Sequence, residues 1–201
     1  YLALEPLHPS DTIPGLIALS EWTNGSPKTL LTAIAIAYEI GVNLCDSASL
    51  RSHGWDHVNY TGIAAACGAG SILGLTPKQL EHTLSITMVP HASMRQTRSG
   101  ELSMWKGSAA ANSVRNAIFS SHAVLRGMTG PYKPFSGEMG FTSQLLNGSP
   151  LNMQTMQSLH ANSPSRIMDT YIKKWPVEYH AQSGVDAAQI VHETFADINE
   201  I

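Results

Sequence analysis

Leu75-Thr76-Pro77-Lys78-Gln79-Leu80 is the stretch on which the fold class turns. Thr76 can accept a hydrogen bond from the backbone of residue 79, and Pro77 fits the first helical position. Gln79 can reach back to the backbone of Thr76, completing a capping box. Leu80, Thr83, Leu84, Thr87 and Met88 then share one helical face, and Pro90 closes the element.

Reading outward from this helix, the same signals recur. Before it, a helix is expected from His57 or Val58 to Leu73. Its small residues, Gly62, Ala64 to Ala66, Gly68 and Gly70, suit close packing. Earlier still, Ser26-Pro27 reads as an N-cap followed by proline, and Leu30, Leu31, Ile34 and Tyr38 recur at helical spacing. That helix is expected to end near Gly41 or a little beyond. A further short helix is expected after His8. Downstream, Ala110, Val114, Ala117, Ile118, Ser121 and Leu125 predict a helix over 107–126, stopped by Gly127. Past Gly127 the chain becomes rich in loops. Ile167 to Trp175, ending at Pro176, predicts a short strand, and 183–196 returns to helical spacing. The expected architecture is therefore mainly α. A helical domain covers 1–160, and the start of a smaller α+β domain covers 161–201.

Hydrophobic residues make up 43% of the chain and charged residues 13%, against about 25% charged in an ordinary soluble domain. So little charge implies surface covered by another subunit or by further chain. Tyr1 is not a starting methionine, so an internal fragment of a longer protein is expected. The net charge of −3 offers no basic footprint for nucleic acid. No run of roughly 18 apolar residues and no signal peptide suggests a membrane segment. The two cysteines, Cys45 and Cys67, cannot supply the usual four thiolates of an iron–sulfur cluster and read as reduced, structural thiols.

Several residue groups could carry chemistry. His8 opens Leu7-His8-Pro9-Ser10-Asp11, at the head of a probable helix. His53-Gly54-Trp55-Asp56-His57 puts two imidazoles and a carboxylate within five residues. An aspartate beside a histidine can orient the ring and raise its basicity, as a general base requires. A structural turn or a metal site are the alternatives, although the spacing matches no dedicated zinc motif. Arg95 and Arg98, three apart, could clamp carboxylates from one face if helical, or form a solvated basic edge. Lys106, between Trp105 and an alanine-rich helix, is expected to be partly desolvated and so useful for proton transfer or for pairing with a carboxylate, the alternative being a side chain that snorkels to solvent. His82, His122 and His192 fall inside helical patterns and read as ordinary. With no phosphate loop and no nucleophile elbow, these residues suit an acid–base enzyme acting on a small organic acid.

His8-Pro9-Ser10-Asp11, Gly54-Trp55-Asp56-His57-Val58, Leu75 to Leu80, Arg95-Gln96-Thr97-Arg98, Gly100 to Gly107 and Gly127-Met128-Thr129-Gly130-Pro131 occur in one order. That series resembles the MmgE/PrpD family over nearly the whole chain. The resemblance implies a large helical domain, a smaller α+β lid, a homodimer, and dehydration or decarboxylation of a tricarboxylate substrate with no cofactor. It implies His8, His57, Lys106 and Lys173 as catalytic residues, with Arg95, Arg98 and Asp56 binding substrate and no metal. Decarboxylase relatives carry their active-site histidine where this chain has Asp56, with His57 next to it. Ser103-Met104-Trp105-Lys106-Gly107 resembles the dehydratase form. Dehydration of 2-methylcitrate is therefore expected, with cis-aconitate decarboxylation or noncatalytic tricarboxylate binding as alternatives. The expected location is the cytoplasm, or the mitochondrial matrix in a eukaryote.

Overall fold

The computed structural model describes residues 1–152, 154 and 166–195, and the helices expected from local signals are all present among them. They are α1 (Ile13–Trp22), α2 (Pro27–Ser47), α3 (Val58–Leu73), α4 (Pro77–Met88), α5 (Trp105–Leu125), the short α6 (Phe141–Leu145) and α7 (Gln182–Thr194). The chain divides into two compact units, Tyr1–Asp169 and Thr170–Ile201. The domain boundary expected at 160 lies outside the described residues.

Helix ends follow their caps. Thr76 and Gln79 form the reciprocal box at the start of α4, with Thr76 N donating to Gln79 Oε1 at 2.9 Å and Gln79 N to Thr76 Oγ1 at 3.3 Å. The Ser26 hydroxyl accepts from Thr29 N at 3.1 Å at the start of α2. At the end of α5, Gly127 takes a left-handed conformation (φ 93°). Met128 N and Gly127 N then close back onto the carbonyls of Ala123 and Val124, satisfying two orphan acceptors.

The first unit is built around α3, which packs against α1, α2, α4 and α5. Almost every α3 position from Val58 to Gly70 is buried, so only small residues let so many neighbours approach. A methyl group added at Gly68 would sit 2.9 Å from the Ala33 carbonyl oxygen of α2, and one at Gly62 would sit 2.7 Å from the Ser113 hydroxyl of α5. One apolar cluster joins Leu44, Leu50, Tyr60 and Ile63 to Phe141 and Leu146. A second joins Leu16 and Leu19 to Ala33, Ala37 and Ala64.

Two expectations are corrected. Helix α2 runs on to Ser47 because Gly41 does not stop it. That glycine faces Leu7 and Ala64, where an added methyl would lie 2.9 Å from Leu7 Cδ2. At 21 residues, α2 is also long and apolar enough to cross a bilayer, although half of its most apolar window is buried inside the protein. The strand expected over Ile167–Trp175 does not form. Arg166–Asp169 is a 3-10 turn, and the following residues form bends with no strand to pair with among the described residues. Arg166 instead ties this turn to α2, pairing with Asp46, donating its backbone N–H to Glu39 at 3.0 Å and bonding the Tyr1 hydroxyl at 2.9 Å. In the second unit, Asp186 of α7 accepts from Lys174 at 2.7 Å and from the Trp175 indole at 2.8 Å.

Candidate active site

Three turns meet at one end of α3. The first carries His8, at the head of the 3-10 turn Pro9–Thr12 that leads into α1 and packs on α3 and α5. The second is the reversal before α3. Arg51–His53 forms a 3-10 turn, Gly54 follows it in the left-handed region (φ 83°), and the chain doubles back through Trp55 and Asp56. The third is the 3-10 turn Arg95–Arg98, which packs on α5.

Backbone hydrogen bonds stitch the second and third turns together. Asp56 N donates to Ser93 O and Arg95 N donates to Gly54 O, each at 2.9 Å, flanking an antiparallel bridge between Trp55 and Met94. Asn59, in the first turn of α3, completes the seam. Its amide donates to the carbonyls of Asp56 at 2.8 Å and Ser93 at 3.0 Å, and its side-chain oxygen accepts from Ser93 N at 2.8 Å.

Within this frame Asp56 is buried, at 1% exposure. A single carboxylate oxygen, Oδ1, accepts from Arg98 Nε at 2.8 Å and from Val58 N at 3.4 Å, and His57 Nδ1 lies 3.1 Å from the same oxygen. The other oxygen, Oδ2, is buried with no hydrogen-bond partner among the described residues, and so is His57 Nε2. The proton on Nδ1 is assigned from this network, because an ionised carboxylate can only accept. Nε2 is then left as a bare acceptor. Burial lowers the His57 pKa to about 4. Asp56 opposes that shift, while the charges of Arg98, His8 and Arg95 add to it. The imidazole is therefore neutral at neutral pH and able to take a proton. His8 lies edge-on to it, with ring centroids 5.9 Å apart.

Lys106 belongs to the first turn of α5. Ser113 donates to the Val58 carbonyl at 2.6 Å, and Val114 and Ala117 pack on Ala65 and Ala66, so α3 and α5 run in the same direction. Lys106 is two turns before Ser113 on the same face, about 10 Å further toward the end where His57 sits. The partial desolvation expected for it is not present. Lys106 is exposed and Trp105 is 52% exposed, because α5 projects past its neighbours here. The N-termini of α3 and α5 both point to this end and, with Arg95, Arg98 and Lys106, favour negative charge there.

His53 does not join the group. Its Nδ1 lies 3.1 Å from the Asn147 amide, and among the described residues no three His, Cys, Asp or Glu side chains are placed to hold a metal ion. Lys173 belongs to the second unit, where it is exposed. Cys45 and Cys67 are both free thiols. A cavity of about 710 Å³ lies among Ile40, Leu44, Ile63, Cys67, Leu84 and Phe135. Among the described residues no charged side chain lines it, which makes it a poor receptor for a polyanion despite its size.

Sequence reasoning missed Asn59 and Glu5. Glu5 is fully buried, and its Oε2 accepts from Arg51 N at 2.9 Å and from the Ser49 hydroxyl at 3.0 Å. It thus braces the segment that leads to His8 against the turn that leads to His57. A glutamate three residues before a His-Pro pair carries no local mark of that role.

A helix made of small residues, enclosed by four others and fringed at one end by basic turns, defines a mainly α domain. Residues 1–154 match the MmgE/PrpD N-terminal domain, and the chain belongs to the MmgE/PrpD family. It is 27% identical over 213 aligned residues to a 2-methylcitrate dehydratase of Cupriavidus necator, covering 98% of this chain and 42% of that protein. It is 28% identical to a mitochondrial 2-methylcitrate dehydratase of Yarrowia lipolytica, covering 96% of this chain and 39% of that protein. An alkylcitrate dehydratase of a fungal species is 29% identical, covering 92% and 39%. The chain thus spans about two fifths of the length of the curated relatives it matches.

Proposed function

We propose that the protein of which this chain forms part is a 2-methylcitrate dehydratase, eliminating water from 2-methylcitrate to give 2-methylaconitate in propionate catabolism. The observation that carries the reading is the buried, neutral His57 imidazole, whose Nε2 is bare beside a group of cations. The relatives named as dehydratases of alkylated citrates support the substrate class.

In this reading a basic group, His57 or Lys106, removes the proton alpha to a substrate carboxylate. The electron pair of the broken C–H bond forms the double bond, and the C–O bond on the neighbouring carbon breaks. His8 protonates the departing hydroxyl, which leaves as water. Arg95 or Arg98, together with Lys173, holds substrate carboxylates, and pairing these with cations stabilises the enolate-like charge that builds as the proton leaves. No cofactor is required, and the acid–base steps need no iron–sulfur cluster. A homodimer, an α+β lid beginning in the last 41 residues, and a location in the cytoplasm or mitochondrial matrix belong to the same proposal.

The test uses the full-length protein in chelator-containing buffer with 2-methylcitrate, and with citrate in parallel. Ultraviolet absorbance of the conjugated acid should grow faster with 2-methylcitrate. No product from either acid would overturn the dehydratase reading. Carbon dioxide released from cis-aconitate in a headspace assay would move the assignment to decarboxylation, and calorimetric binding without turnover would move it to a binding role.

A further inference from the structure

We infer that Asp56 and Arg98 are positioning residues for His57, fixing its tautomer and aiming Nε2 into the site, so that neither serves primarily as a ligand for substrate. The inference deepens the dehydratase reading and rests on it for the identity of the reaction, but not for the geometry.

The geometry is specific about direction. Two donors converge on one oxygen of Asp56, the Arg98 guanidinium and the first backbone N–H of α3, and the His57 ring nitrogen Nδ1 lies 3.1 Å from that same oxygen. An aspartate binding substrate would face the ligand with its carboxylate, and an anionic substrate would be repelled. Here the carboxylate is buried, and its contacts with Arg98, His57 and the α3 backbone all meet Oδ1. Arg98 spends its Nε on this buried group, and its side chain is only 21% exposed. Its charge is thereby directed largely at Asp56, and Arg95 and Lys106 remain the cations better placed to meet a substrate. The Asn59 seam holds the two turns in register, which keeps the backbone that carries Arg98 within reach of Asp56.

The arrangement resolves a conflict between position and basicity. A buried carboxylate beside His57 fixes the ring but by itself would strengthen the base and favour a permanently charged imidazolium. Burial is the main force that keeps the ring neutral against Asp56, and the Arg98 charge adds to it. The groups facing His57 are Asp56 on its own turn, Arg95 and Arg98 on the neighbouring turn, and His8 across the site. Only the first favours protonation.

The closing experiment compares the full-length wild type with Asp56→Asn and Arg98→Gln. Because both donors and the His57 ring meet Oδ1, an asparagine can keep both hydrogen bonds and the ring contact while removing the charge. Exchange of the imidazole C2 hydrogen with deuterium, followed residue by residue by mass spectrometry, reports where His57 titrates without any substrate. The expected shifts are of opposite sign. Asp56→Asn should move the His57 titration down, and Arg98→Gln should move it up by about one pH unit. On 2-methylcitrate, both variants should lose kcat, by about tenfold or more for Asp56→Asn, with KM changed by less than about threefold. The acid limb of the rate profile should follow the exchange result.

A large rise in KM for Arg98→Gln with an unmoved His57 titration would overturn the inference and make Arg98 a substrate clamp. Shifts of the same sign in both variants would also overturn it. If the wild type does not turn over 2-methylcitrate, the dehydratase reading fails, yet the exchange shifts still decide the role of this pair. Should Asp56→Asn not fold, the direction and KM of Arg98→Gln decide it alone.

Discussion

Acidification probes the surroundings of His57 most directly. Burial lowers its pKa from 6.5 to about 4, assisted by the charges of Arg98, His8 and Arg95 and opposed by Asp56. Between these two values the ring is neutral in the folded protein and protonated in the unfolded chain. The unfolded state therefore binds more protons, and stability is lost as pH falls from 6.5 toward 4. From pH 7 to pH 4.5 a gap of this size removes about 2 kcal/mol. The assay is urea unfolding of the full-length protein at those two pH values, followed by tryptophan fluorescence, for the wild type and for His57→Asn. Other titrating groups contribute to both proteins and cancel in the double difference. The variant should lose about 2 kcal/mol less than the wild type on acidification. Equal acid sensitivity would mean that His57 protonates as readily in the fold as in water, and would refute the reasoning.

Three further outcomes follow from the structure. Lys106→Ala should lower turnover on 2-methylcitrate by about a hundredfold or more while leaving the urea midpoint in place, because the side chain is exposed; wild-type turnover would remove Lys106 from the mechanism. Gly68→Ala should destabilise by about 1–3 kcal/mol, since its methyl would meet the Ala33 carbonyl at 2.9 Å and Leu16 Cδ1 at 3.0 Å; an unchanged urea midpoint would show that α2 and α3 are free to separate. Glu5 gives a pH effect opposite to that of His57. Burial raises its pKa above 4.5, against hydrogen bonds from Arg51 and Ser49, so its ionisation destabilises the fold as pH rises through that window. Glu5→Gln should flatten this slope in thermal melts from pH 4.5 to 7, and a stability difference from the wild type that stays constant across the range would exclude Glu5 as its source.

The legible parts of this chain are those whose physics is local. The Thr76–Gln79 box and the Gly127 stop involve residues within one or two turns of each other, so their spacing in the sequence is their spacing in space. The end of α2 was not legible in the same way. Gly41 looks like a terminator from its neighbours, but its absent side chain is needed by Leu7 and Ala64, 34 and 23 positions away in the numbering. The strand expected near Ile167 fails for a related reason, because a strand is a pairing and the partner cannot be read from the residues themselves.

The candidate site divides along the same line. His8, Asp56, His57, Arg98 and Lys106 all drew attention by residue type, yet residue type is silent on which of them spend their charge on one another. Arg98 and Asp56 lie 42 positions apart and meet because Asn59 and the Trp55–Met94 bridge hold two turns together. Once they meet, one cation and one anion neutralise each other beside an imidazole that stays neutral, and the number of charges available to a substrate falls. Lys106 moves the other way. Its sequence context suggested burial, but the first turn of α5 stands clear of the bundle and leaves the ammonium in the open. The reactive properties of these side chains are thus set less by their identity than by which turn their backbone belongs to and what that turn is fastened to. A conservative substitution at Asn59, which touches no charged group, is for this reason as informative about the site as one at Arg98.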